Sequence, residues 1–206
     1  MGGRRSNQSQ NIAWLLVVAV VFVLLRYTYT GNPSTPDPIA AAMSDASSDV
    51  IAKLQVSVRQ VSSSPPTLAI AVTNAHAGPV TILRWDSPLD PLALQLGVVS
   101  LARGGSDGGP VDIPTVQVRR MMPPGPDALV TVAAGQTREQ LLELREPMVP
   151  LRALRGTSVR VACRGEWTGV WPREADAVSA EALGKAGASE DAQKGRFESE
   201  AVEIEL

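Results

Sequence analysis

This chain of 206 residues has one cysteine, Cys163, and one histidine, His76. A single thiol excludes an intrachain disulfide, and with it a cysteine-stapled secreted miniprotein. A single imidazole excludes His-Glu-x-x-His and any other multi-histidine zinc site, because zinc needs about three protein ligands and a base to activate water. No Gly-x-Ser-x-Gly elbow is present to expose a nucleophilic serine. The glycine-rich "ARGGSDGGP" lacks the Gly-Lys-Ser/Thr of a phosphate cradle and reads as a hairpin tip. Basic charge is also scarce. The first thirty residues carry three arginines and no acid, which leaves sixteen basic residues against twenty-one acidic ones in the remainder. That balance argues against nucleic acid as a partner, since phosphates select basic surfaces.

Apolar content is 44%, enough for one packed core in a chain of this length. The only long apolar run is Ile12 to Leu25, fourteen residues behind the basic "MGGRR". At 1.5 Å per residue it covers ~21 Å, the length of a signal-peptide core and short of the ~30 Å hydrocarbon layer. Arg26 can snorkel while Tyr27 and Tyr29 sit at headgroup depth, so residues 11–29 are expected to form one uncleaved transmembrane signal anchor. Arg4 and Arg5 place residues 1–10 in the cytosol and the bulk of the chain in the secretory lumen or at the cell surface. Cleavage after the run, giving a secreted protein, is the alternative. "MGGRRS" also fits a myristoylation pattern, and Asn7-Gln8-Ser9 is a glycosylation sequon that faces the cytosol in the anchored topology. Residues 30–50, rich in Pro, Ser, Asp and Ala, read as a flexible stalk.

From Ile51 the texture changes to period two. Leu54, Val56 and Val58 alternate with Gln55, Ser57 and Arg59, the mark of a half-buried strand. "TLAIAVTN", "PVTILRW", "LQLGVVSL", "TVQVRRM", "ALVTVAA", "REQLLEL", "SVRVACRGEW" and "SEAVEIEL" repeat the signal, separated by Gly- and Pro-bearing turns. Residues 175–195, alanine-rich and polar, read as a loop with at most a short helix. The expectation is all-β, an immunoglobulin-like β-sandwich of about eight strands over residues 51–206, preceded by one N-terminal transmembrane helix.

The succession "LAIAVTN", "ILRWDSPLD", "VTVAAGQTREQLLEL", "SVRVACRGEWTGVW" and "RFESEAVEIEL" resembles the β-sandwich pro-domain of fungal deuterolysin-type zinc metalloproteases. Leu89 and Asp90 match its Leu-Asp turn, and Ala134, Gly135 and Gln136 its Ala-Gly-Gln turn. The resemblance implies a sandwich without the catalytic domain, and a role in masking or assisting the folding of another protein.

Residue by residue, no catalytic, cofactor or metal site emerges. His76 falls in a hairpin connection, and Asp86 and Asp90 flank "SPL", where aspartates cap turns. Trp85 is expected to cover one end of the core. Cys163 shares parity with Val159 and Val161 and should point inward as a structural thiol. Trp167 and Trp171, four apart, are expected on one face of the strand, either completing the core or forming a partner-binding patch at the sandwich edge. The functional expectation is a membrane-anchored binding or assembly module, not an enzyme, with an unknown protein partner in the secretory lumen or at the surface. A secreted module of the same kind is the alternative, and a hydrolase with a site assembled from scattered polar residues the third reading.

Overall fold

The structure is a computed structural model that describes residues 50–105 and 108–206. The expected tail, anchor and nearly all of the stalk lie outside the described residues. Among those described, no helix is long and apolar enough to cross a membrane.

Among the described residues, nine strands build two sheets. The smaller contains β1 (Leu54–Ser63), β2 (Pro66–Asn74) and β6 (Thr137–Glu143), with β2 in the middle and antiparallel to both neighbours. The larger is organised on β7 (Ser158–Trp171), which pairs with β3 (Val80–Leu83), β4 (Val99–Arg103), β8 (Gln193–Glu198) and β9 (Val202–Glu205). β5 (Leu129–Val132) extends this sheet beyond β3. β4 and β9 pair with the same stretch of β7, Val159 to Val161, so they flank it on opposite sides. The short helices α1 (Leu151–Leu154) and α2 (Ala180–Gly184) lie in connections, and Ser179 caps α2 by accepting the Ala182 N–H.

The core follows from the alternation. Leu68, Ile70 and Val72 of β2, Val159, Val161 and Cys163 of β7, and Ile204 of β9 belong to one buried cluster with Leu101, Val80 and Ile82. Each such aliphatic contributes about 1.5–3 kcal/mol on burial, which is why the inward positions hold so few polar groups. Gln60 closes one side of the sandwich by imitating a strand: its Nε2 donates to the Glu205 carbonyl at 2.8 Å while its Oε1 accepts the Glu205 N–H at 3.1 Å.

Three strand expectations need correction. "LQLGVVSL" is regular only from Val99, because residues 91–97 form consecutive turns. Gln193 to Gly195, expected in a loop, begin β8, held by pairing with β7 rather than by any apolar pattern of their own. "TVQVRRM" joins no sheet, and the segment from Asp112 to Pro123 is a strap without regular secondary structure and with mostly exposed side chains.

Candidate functional site

His76, Asp86 and Asp90, expected in turns, do lie in them. Asn74, fully buried at the end of β2, donates through Nδ2 to the carbonyls of Gly78 and Val132, both at 2.9 Å, and accepts the His76 N–H at 2.8 Å. The His76 Nδ1 then accepts the Gly78 N–H at 3.1 Å, so the imidazole braces its own turn. Asp90 is also fully buried: its carboxylate accepts the N–H groups of Asp86 at 2.8 Å and Leu92 at 3.0 Å, and pairs with Arg120. Asp86 takes a left-handed φ of 58°, a conformation that aspartate tolerates better than most residues and that the Asp90 bond holds in place. Gln140 of β6 pins the same loop from below by donating to the carbonyls of Pro88 at 2.7 Å and Asp90 at 2.9 Å. No hydrogen bond joins His76 to either aspartate among the described residues. Nor do those residues contain a group of three His, Cys, Asp or Glu side chains that could hold a metal ion.

Trp85 packs against a small second cluster, with the Arg120 guanidinium 5.7 Å from its ring centre, so it stacks on a cation at one end of the core. Cys163 is fully buried between β4 and the Ser199 hydroxyl, which accepts its N–H at 2.9 Å. Burial pushes its thiol up to about 12, which suppresses the nucleophilic thiolate at neutral pH.

The two tryptophans offered as a partner-binding patch, Trp167 and Trp171, are 1% and 0% exposed, so neither indole presents a surface to a partner. They also do not share a face. The pairing of β7 with β8 shifts register between Trp167 and Val170, and this bulge reverses the parity of the strand's last residues. Trp167 enters the main core, its ring 4.7 Å from that of Phe197, while Val170 takes the next inward position. Trp171 turns the other way into the second cluster, with Leu83, Ala128, Val178 and Ala182. Gly169 is needed at this bulge because a Cβ there would lie 2.9 Å from the Trp171 ring and 3.1 Å from the Gly187 backbone. Beside Trp171, the Asp191 carboxyl is held below the usual range by the Ser189 hydroxyl first and then by the Trp171 indole, although neither approach meets full hydrogen-bond geometry.

What the molecule does present is edges. In the hairpin of β1 and β2, the Ala75 N–H donates to the Lys53 carbonyl, so odd-numbered residues of β1 bond to β2. The peptide groups of Leu54, Val56 and Val58 therefore point away from the sheet. They open into a cleft of about 470 Å³ bordered by Glu198, Glu200 and Val202. On the other side, the bonds Leu144 to Pro66 and Asn74 to Gln136 turn the peptides of Thr137, Glu139 and Leu141 outward from β6. There Arg138 donates across the gap to the Thr131 carbonyl of β5 at 3.2 Å, and Arg59 holds Glu139 with two bonds at 3.0 and 3.2 Å.

The strap is the other open feature. Val116, Val118, Met121 and Met122 are exposed, Met121 at 87%. Its backbone ties among the described residues are few: Val111 N–H to the Leu101 carbonyl and Val116 N–H to the Gln95 carbonyl, with Arg120 held by Asp90. The strand signal of "TVQVRRM" was legible in the sequence. Its lack of a partner was not, since nothing local encodes which strand a segment will meet.

Residues 53–206 match a family of immunoglobulin-like domains. A protein of Arthroderma benhamiae (strain ATCC MYA-4681 / CBS 112371), described as an uncharacterized secreted protein, is 33% identical to this chain over 131 residues. The similarity covers 61% of this chain and 65% of that relative, so the chain spans just under two thirds of the length of the curated relative it matches.

Proposed function

We infer the function from one premise: this chain belongs to the immunoglobulin-like domain family. From there we propose a non-catalytic binding module of the secretory pathway, working through strand edges and an extended apolar segment rather than through a reactive pocket. The exposed strap, with Val116, Val118, Met121 and Met122 in contact with water, carries this reading. Apolar side chains concentrated on one unpaired segment mark an interaction surface, and extended segments bind by supplying or accepting a strand. The settings of half-buried His76 and of buried Asp90 and Cys163 support the non-enzymatic part, because each already serves turns or core.

The secreted form is our leading reading, supported by a relative described as secreted. The run Ile12 to Leu25 is what favours the second reading, a module anchored in the membrane. N-terminal sequencing of the mature protein and carbonate extraction separate them: a soluble product beginning after residue 30 establishes secretion, and an intact, membrane-retained N-terminus establishes the anchor. The resemblance to protease pro-domains supports one form of binding, masking or assisting the folding of a separate protein.

The binding reading is tested with a photo-crosslinking residue at Val118 of the full chain, expressed in a eukaryotic secretory host, against the same residue at exposed Lys194. Discrete protein adducts at 118 and none at 194 are expected. Equal, diffuse labelling at both positions would overturn the assignment of the strap as a binding surface.

A further inference from the structure

The strap and the β1 cleft complement one another, and we propose that the strap of one copy adds as a strand to the free β1 edge of a second copy. This rests on the binding-module reading and names the partner as the same chain. Backbone, charge and tether geometry each point there.

Along β1, the peptides of Leu54, Val56 and Val58 face the cleft with no strand beyond them among the described residues. From Gln117 to Met122 the strap has no backbone hydrogen bond among the described residues, so it brings the donors and acceptors that such an edge lacks. In an added strand Val116 and Val118 share one face, which can meet Val56 and Val202, while Gln117 and Arg119 take the other. The cleft is walled by Glu198 and Glu200, and the strap carries Arg119. None of these three is in an ion pair among the described residues, whereas Arg120, the neighbouring cation, is committed to Asp90. Opposite charges left unpaired on two exposed strand-like surfaces set both register and encounter.

The strap cannot make this contact within its own chain. Val111 is bonded to β4 and Val116 to the turn before it, while the cleft is bordered by the β8–β9 connection. β4 and β9 lie on opposite sides of β7, so the width of the sheet separates the strap from its own cleft. Reciprocal exchange between two copies closes a dimer, and one-way addition builds a chain of copies.

The test mixes two full-length copies in mild detergent, one unlabelled with a photo-crosslinking residue at Gln117 and one uniformly isotope-labelled, and maps adducts by mass spectrometry. Adducts joining 117 to residues 54–58 or 198–202 of the labelled copy are expected. Val56→Pro in the labelled copy should reduce them at least tenfold: its N–H points into the cleft, so proline removes the receiving donor without breaking the ladder to β2. Should that variant fail to fold, the charge pair decides. Arg119→Glu should weaken the yield about fivefold, as exposed ion pairs do, and Glu200→Arg in the partner should restore it. Adducts confined to another region of the second copy, or a charge swap without rescue, would overturn the proposal. If the Val118 probe in cells captures a different protein while purified copies do not crosslink, self-pairing fails and the binding reading stands. If neither probe finds any protein, both fall.

Discussion

β7 and the strap begin with almost the same pattern. "SVRVACR" and "TVQVRRM" both alternate β-branched and polar residues, yet one ends at the centre of a six-stranded sheet and the other against solvent, outside any regular element. The difference is in what surrounds them. Around β7, four strands supply hydrogen bonds on both flanks, and Val159, Val161 and Cys163 meet apolar neighbours. Around the strap, the nearest anchor is polar, the Arg120 pair with Asp90, and the valines meet water. Alternation therefore specifies an extended chain with two different faces, and only the presence of a partner makes it a strand.

The largest way to test this contrast is to remove a partner of β7. In the compact unit Asp45–Leu206, deleting Ser199 to Leu206 takes away β9, buried Ile204 and the Ser199 hydroxyl that receives the Cys163 N–H. Against a typical net stability of ~5–15 kcal/mol, losing these side chains and a row of ladder bonds should abolish folding. Cooperative thermal unfolding at the same midpoint as residues 45–206 would show that β9 is dispensable.

Next in size is the tether of the strap. Asp90→Ala leaves the Asp86 and Leu92 amides and the Arg120 guanidinium without their acceptor, and should cost about 3–5 kcal/mol in urea unfolding. A loss under 1 kcal/mol would mean that the strap and the 86–90 loop are held by something other than this carboxylate.

β7 should also carry a pH signature. The folded Cys163 thiol is raised to about 12 from an ordinary value near 9. Its contribution is fully present below pH 9. Above that the unfolded chain sheds the proton while the folded chain retains it, so stability should fall by up to ~1.4 kcal/mol per pH unit toward pH 12. Cys163→Ala removes this slope, and parallel pH profiles for the two proteins would contradict it.

The smallest effect is expected in the strap. Val116→Ser with Val118→Ser should leave the unfolding free energy within about 0.5 kcal/mol of the parent, because neither side chain is in the core. A loss of 2 kcal/mol would place these valines in the fold and remove the contrast with β7.

Much of the sandwich is legible in the amino-acid order because it is written in period two. Leu54 and Val58, Leu68, Ile70 and Val72, and Val159, Val161 and Cys163 all alternate as expected, and all are buried. The turn roles of His76 and Asp90 are legible too, since polar side chains beside Gly and Pro bond to nearby amides, whereas Asp86 enters its turn through its backbone alone. The tryptophan pair departs from the expected parity for a non-local reason. Gly169 permits a bulge there, but which residue of β8 meets which residue of β7 is not written nearby, and that one shift in register sends Trp171 to a different cluster. β8 itself, beginning "QKG", has no apolar pattern and exists because β7 offers an unfilled flank.

The amino-acid order by itself determined the extended segments, the faces they bury, the turns between them and the apolar run near the N-terminus. These depend on interactions between residues a few positions apart, and local sterics and hydration are enough to specify them. Only the tertiary structure decided which strands meet, where β7 bulges, that Asp90 and Arg120 close on each other across thirty positions, and that the strap stays unpaired. Those outcomes depend on backbone groups and side chains far apart in the chain, whose meeting is governed by the packing of the whole sandwich.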